Sequence, residues 1–131
     1  MRKESRDWLA QADADMRAAR LLVAGEEFSG AMFHARQAVE ALLKACHYHL
    51  AEKEPPRQHG LRALARAVFG EIPSAIVDAV SNLDPYYTQT RYPNAVGDAP
   101  SEYYTKRDAE RALTDGEEVV AWLKERIREK R

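Results

Sequence analysis

The chain has 131 residues, 45% hydrophobic and 31% charged, with 20 basic and 21 acidic side chains giving a formal net charge of -1. This composition predicts one globular domain over 1–131 with a real core, and it excludes both a disordered chain and one held on nucleic acid or membranes by bulk charge. Cys46 is the single cysteine, which excludes a disulfide framework and a thiolate metal site; with no apolar signal core near Met1 and no run of membrane-spanning length, the expected location is the cytoplasm.

The first helix is expected from about Ser5 to Ala24. Trp8, Leu9, Ala12, Met16, Ala19 and Val23 share one arc, and Gly25 stands where a helix-ending glycine belongs. The second is expected from Ser29, whose hydroxyl can cap it, to about Ala51. Its apolar arc holds Met32, Val39, Leu42, Leu43, Cys46 and Leu50, and the intervening Ala31, Ala35, Ala38 and Ala45 allow a neighbouring helix close approach. "EKEPPRQHG" breaks the chain with two prolines. "LRALARAVFG" then predicts a short helix ended by Gly70, and "IPSAIVDAVSNLDPYY" another, with Pro73 in its first turn and Pro85 kinking or ending it. "RYPNAVGDAPSEYY" reads as a loop of about a dozen residues, a length often associated with function. Thr105 to Asp108 gives a capping-box-like start to the last helix, which keeps Ala109, Ala112, Leu113, Gly116, Val120, Leu123 and Ile127 near one face. No alternating strand pattern occurs. The expected fold is all-α: an antiparallel up-and-down bundle of four main helices plus a short extra one.

"FHARQAVEALLKACHYH" carries three of the four histidines. Helical spacing puts Arg36, Gln37, Glu40, Lys44 and His47 opposite the leucines, which reads as a solvated face with a Glu40–Lys44 ion pair. His34 sits at its border, as a half-buried hydrogen-bonding residue. His47 and His49 point about 200° apart on a helix, unlike the i, i+4 spacing of helical zinc ligands, so no metal site is expected. No nucleophile elbow, P-loop or glycine fingerprint is present. The densest polar group is "LDPYYTQTRYPNAVGD". Arg91 can bind phosphate bidentately while Tyr87 or Tyr92 stacks on a base. Equally, the tyrosines can fill a helix end while Arg91 pairs with Asp84 or Asp98. His59 reads as the start of the short helix, where it can cap.

The ordered set "FHARQAVEALLKA", "HGLRAL", "YYTQTRYP" and "TKRDAERAL" resembles the HEPN domain family of prokaryotes and higher eukaryotes, over about Trp8 to Leu123. The resemblance implies an antiparallel helical bundle, a homodimer, and a nucleotidyltransferase-like protein as partner in a toxin–antitoxin pair. Family members bind nucleotides, and a large subset are metal-independent ribonucleases. By position, His34, Gln37, Glu40 and Lys44 match the family's second-helix motif, His59 its third-helix histidine, and Tyr87, Arg91 and Tyr92 its "Y…RYP" segment. The ribonuclease subset has a His four to six residues after its Arg; here Ala95, Val96 and Gly97 follow Arg91. Losing a general acid–base group costs roughly 10²–10⁴-fold in rate. The leading expectation is therefore a nucleotide- or RNA-binding module through Arg91, Tyr92, Tyr87, His59, Lys44, Gln37 and His34, with no catalytic residue, no cofactor, and neither DNA nor membrane as partner. A metal-independent ribonuclease toxin and a non-catalytic helical scaffold are the alternatives.

Overall fold

The computed structural model describes residues 1–57 and 60–130. Four long helices form the core: α1 (Lys3–Ala24), α2 (Phe28–Cys46), α4 (Ser74–Leu83) and α8 (Lys106–Glu129). The extra helix α3 (Leu61–Phe69) and three single turns, α5 (Tyr86–Gln89), α6 (Pro93–Val96) and α7 (Pro100–Tyr103), complete it, and no strand occurs among the described residues. The all-α antiparallel bundle expected from spacing is what the chain forms.

Helix α2 is its axis, packing on α1, α8, α3, α5 and α7. Small residues make that possible. Ala31, Ala35, Ala38, Ala41 and Ala45 are all buried, and so are Ala12 and Ala19 of α1 and Ala109, Ala112 and Gly116 of α8. A Cβ on Gly116 would sit 3.4 Å from the Ala35 carbonyl oxygen and 3.2 Å from the Met16 methyl, so glycine sets how near α8 comes to α2. Between these small residues Met32, Val39, Leu42, Leu43, Leu61, Leu64, Leu83, Val119 and Leu123 fill the interior.

The helix ends follow local chemistry, with three departures. Gly25 closes α1 by donating its N–H to the Leu21 carbonyl. Thr105 and Asp108 form both halves of a capping box on α8, as their spacing predicts. Ser29 does not cap α2: Glu27 holds the N-cap position without a side-chain bond, and Ser29 lies inside the first turn. Pro73 stands just before α4 rather than in its first turn. The expected loop after Arg91 contains α6 and α7, each opened by a proline whose fixed φ suits a helix's first residue. Pro85 does end α4, and the chain resumes as α5.

Helix α2 reaches Ala51 as expected, but its last five residues, His47–Ala51, widen into a π-helical turn that left-handed Glu52 terminates. His47 is buried, contrary to its place on the expected wet face. Its Nε2 meets the Leu64 carbonyl at 3.0 Å, tying the end of α2 to α3, while Nδ1 is enclosed without a hydrogen-bond partner among the described residues. Burial depresses its pKa below the ordinary 6.5, the Leu64 carbonyl opposes this, and Lys53 adds to it. Cys46, one residue earlier, has its thiol pushed up to about 12 by burial, so it is no nucleophile.

The depressed His47 predicts a pH dependence of stability. Below about 6.5 the unfolded imidazole binds a proton that the folded one refuses, so stability falls as pH drops from about 6.5 toward the folded value. Urea unfolding at pH 7.5, 6.5 and 5.5 checks this: His47→Gln should show a shallower loss than the parent. His49, also depressed, retains its share of the slope. Equal slopes in the two proteins would show that His47 does not carry the effect.

Candidate functional site

Three charged residues of α2, Arg36, Glu40 and Lys44, succeed one another at one-turn intervals. In a helix this puts them in a row, and here the row is covered rather than wet. Arg36 and Glu40 are 2% and 5% exposed, which overturns the expectation of a solvated face. Arg36 Nη1 donates to Glu40 Oε1 at 2.6 Å and to Gln37 Oε1 at 2.9 Å. Its Nε donates to the Asp84 carbonyl at 3.2 Å and its Nη2 to the Asp84 carboxylate at 3.3 Å. The same Asp84 oxygen accepts the Leu61 N–H at 3.0 Å, so one guanidinium joins α2 to the end of α4 and the start of α3. Lys44 Nζ reaches the second oxygen of Glu40 at 3.0 Å and lies over the Trp8 ring, 4.6 Å from its centroid. Burial pushes the Glu40 carboxyl upward, but the bonds from Arg36 and Lys44 outweigh it, and the net shift is downward.

Beside this row lies a cleft of about 240 Å³ between α1 and α2, with Trp8, Gln11, Asp15, Phe33, Gln37 and Lys44 among its walls. His34 stands at its edge, side chain 35% exposed, with Nδ1 donating to Asp15 Oδ1 at 3.0 Å. Gln11 donates to the other Asp15 oxygen at 3.2 Å. His34 is therefore the half-buried, hydrogen-bonded residue its position predicts.

The "PYYTQTRYP" stretch meets α2 at Phe33 and Arg36. A residue before proline is steered into extended backbone, and Tyr92 adopts φ -119°, ψ 117° ahead of Pro93. The turn between α5 and α6 lays the Arg91 guanidinium 4.6 Å from the centroid of the Phe33 ring. Phe33 also meets Tyr87 (6.0 Å between centroids) and packs edge-on against His34 (5.5 Å). Tyr87 in turn carries Arg36 over its ring at 5.3 Å. Arg91 has no acidic partner among the described residues: it pairs with neither Asp84 nor Asp98, the two acids offered as alternatives, and Asp84 is taken by Arg36 and the Leu61 N–H. Tyr87, Tyr92 and Arg91 are all exposed.

Of the residues expected to bind, Arg91, Tyr87, Gln37, Lys44 and His34 thus border one surface centred on Phe33 and the neighbouring cleft. Tyr92 is beside Arg91 in the chain and 51% exposed. His59 lies outside the described residues; α3 itself begins at Leu61, with Gly60 before it. Sequence reasoning missed Trp8, Asp15 and Phe33 as parts of this surface, and it missed the burial of Arg36. The signal available was the i, i+4, i+8 row of alternating charge flanked by alanines, a pattern that lets neighbouring elements close over it. No group of three His, Cys, Asp or Glu side chains among the described residues could hold a metal ion.

The HEPN domain family matches residues 5–127, nearly the whole chain. The chain belongs to the HEPN domain family. Two solved structures superpose closely. TT1696 from Thermus thermophilus is 34% identical, with a TM-score of 0.84 over 95% of this chain and 98% of its own. ST0689, described as an archaeal HEPN homologue, is 30% identical, with a TM-score of 0.82 over 96% of this chain and 99% of its own. A curated relative, "Putative toxin MJ1304" of Methanocaldococcus jannaschii, is 26% identical over 140 residues, spanning 98% of this chain and 91% of that protein. This HEPN chain has no helix long and apolar enough to cross a membrane among its described residues.

The buried row predicts a sharp asymmetry between substitutions. Arg36→Met leaves Glu40 and Asp84 without their shared partner and should cost about 3–5 kcal/mol of unfolding free energy. Replacing Arg36 and Glu40 together by Met and Leu should recover part of that loss, because no uncompensated buried charge remains between them. Denaturant midpoints of Arg36→Met, Glu40→Leu and the double variant measure it; simple additivity would refute the coupling.

Proposed function

We propose that this HEPN chain is the nucleotide- or RNA-binding module of a toxin–antitoxin pair, a homodimer acting beside a nucleotidyltransferase-like partner. One observation carries the binding part: Arg91 is exposed, stacked on Phe33, flanked by Tyr87 and Tyr92, and without an acidic partner among the described residues. An uncompensated guanidinium fork suits a phosphate, and exposed rings beside it suit a base. The other nearby cations differ, since Arg36 and Lys44 both share Glu40. Gln37, Lys44 and His34 border the continuation of that surface, where a second nucleotide or a sugar hydroxyl would lie. Support for the toxin assignment comes from the family and from MJ1304, whose name makes it a toxin candidate.

A second reading, ribonuclease activity, is favoured by His34. Its Nδ1 is fixed by Asp15, and a histidine so oriented has the form of a general base with its positioning carboxylate. It touches Phe33, which also bears Arg91. The stretch after Arg91 that holds histidine in the ribonuclease subset is here the α6 turn and Gly97.

Arg91→Ala should weaken binding of a short single-stranded RNA about ten- to hundred-fold, as expected for losing hydrogen bonds to a charged group. Arg91→Lys, which keeps charge without the fork, should fall between. Calorimetry on the intact protein reads both, and unchanged affinity in Arg91→Ala would remove this surface from consideration. Incubating the same RNA with parent and His34→Ala protein in chelator separates the two readings: cleavage that His34→Ala abolishes makes the surface catalytic, and intact RNA makes it a binding site. A tagged pull-down with nuclease present tests the protein partner.

A further inference from the structure

The end of α2 departs from regular helix geometry. Over His47–Ala51 the hydrogen bonds span an extra residue: the His47 carbonyl accepts the Glu52 N–H and, at 3.3 Å, the Lys53 N–H as well. Glu52 closes the turn at φ 55°, ψ 37°, a left-handed conformation that glutamate adopts uncommonly. Widened turns and left-handed residues of this kind persist where their surroundings hold them. Three successive side chains supply that hold. His47 meets the Leu64 carbonyl of α3, Tyr48 carries the Arg2 guanidinium 5.2 Å from its ring centroid, and His49 stands beside the Ile127 carbonyl and Lys130 at the end of α8.

Of the three, His47 is the one fully shut off from water. A carbonyl can only accept, so Nε2 carries the hydrogen in its bond to Leu64 and Nδ1 is the bare nitrogen. A further proton must go to Nδ1, which is enclosed without a hydrogen-bond partner among the described residues. The charges around the ring offer an imidazolium no compensation. Lys53, just past the turn, repels it. Glu52 has its side chain 75% exposed and pairs with Lys130 at 3.8 Å. Helix α3 brings the exposed Arg62 and Arg66 and no acid. At the start of α1, Glu4 is paired with Arg2 and Asp7 with Lys3, and on α2 Glu40 is shared by Arg36 and Lys44.

We propose that His47 is an acid-sensitive latch between α2 and α3: a proton arriving at Nδ1 drives the ring out to solvent, breaks its bond to Leu64 and frees α3 while the four long helices stay folded. A charged ring held in place would keep its bond to the carbonyl, but one hydrogen bond does not offset a buried cation without a counter-charge. The long helices do not need the latch, since α2 packs directly on α1, α4 and α8, and α4 on α8. Helix α3 has one further polar tether, the Leu61 N–H on Asp84, beside its buried Leu61, Leu64 and Ala65. An opened His47 takes the ordinary value of 6.5, whereas the closed ring titrates lower. Protons therefore bind the open form preferentially, so opening is least above about 6.5 and grows as pH falls below it. Between pH 7.5 and 5.5 the open population rises about ten-fold while the closed ring stays neutral. The latch is independent of what the Arg91 surface binds.

Native-state amide hydrogen exchange of the intact protein, at pH 7.5 and 5.5 in low urea, tests this. The amides of α3 should exchange through an opening of their own, at least about ten-fold more populated than the one that exposes the buried middle of α2 and with a shallower urea dependence. Lowering the pH should raise that opening about ten-fold. In His47→Gln, whose amide nitrogen can take the place of Nε2, α3 should still open separately but with no pH response. His49→Gln, altered on the α8 side of the turn, should keep the response. Where His47→Gln does not fold, imidazole NMR of the parent protein decides, and His47 should titrate below 6.5. Four results would each overturn the proposal: α3 and α2 sharing one opening, equal opening of α3 at the two pH values, a pH response that survives in His47→Gln, or His47 titrating at 6.5 or above.

Discussion

The burial of Arg36 is the constraint on which the rest of this fold depends. Taking a guanidinium out of water costs several kcal/mol, offset only when its donors meet acceptors in good geometry. Here the acceptors come from separate places: Gln37 and Glu40 on its own helix, and the carbonyl and carboxylate of Asp84 at the end of α4. Asp84 can serve only because Pro85 stops α4 there, and its carboxylate also receives the first N–H of α3. The ring of Tyr87, the second residue of α5, lies against the guanidinium. A single buried cation thus sets where α4 ends, where α3 begins and how α5 lies on α2.

The same network decides which charges remain for a ligand. Glu40 is shared between Arg36 and Lys44, so two cations and one carboxylate are committed to each other, with Asp84 as the second anion. Arg91 lies outside that arrangement and rests on an apolar ring instead of a carboxylate. Helix α5 separates two environments within one turn. Tyr87 faces Phe33 and Arg36, whereas Tyr86 packs on Tyr104 and borders a small cavity with Asn82 and Asp115. Consecutive residues on a helix diverge by about 100°, so "YY" suffices to face two separate environments.

Most of the architecture was legible in the sequence because its signals are local. The 3.6-residue apolar period, the Gly25 and Gly70 stops and the Thr105–Asp108 box each act within a few residues. The burial of Arg36, Glu40 and His47 was not legible, because it depends on what covers α2 from elsewhere in the chain. Charge at positions opposite a leucine stripe ordinarily means solvent. Here α1, α3 and the α4–α5 junction enclose the second face as well, and only the alanines at 35, 38, 41 and 45 hinted that both sides were packed. The candidate surface was half-legible for the same reason: Arg91 and Tyr87 announced themselves by composition, while Phe33, Trp8 and Asp15 join them only through tertiary packing.

The proposed binding role would ask less of this surface than a cleaving one. Phosphate capture needs one uncompensated cation and a ring, both of which Arg91 and Phe33 supply within a single contact. Cleavage needs a proton-transfer group placed against the same phosphate. Among the described residues, the histidine on this surface is His34 of α2, fixed by a carboxylate of α1, not on the turn that carries the arginine. The segment after Arg91 has instead become a proline-opened turn ending at left-handed Gly97, with no titratable side chain between Tyr92 and Asp98. A catalytic pair of Arg91 and His34 would therefore be assembled across two elements, the bundle helix α2 and the α5–α6 turn. Phe33, in contact with both Arg91 and His34, is the side chain that would hold the two in register.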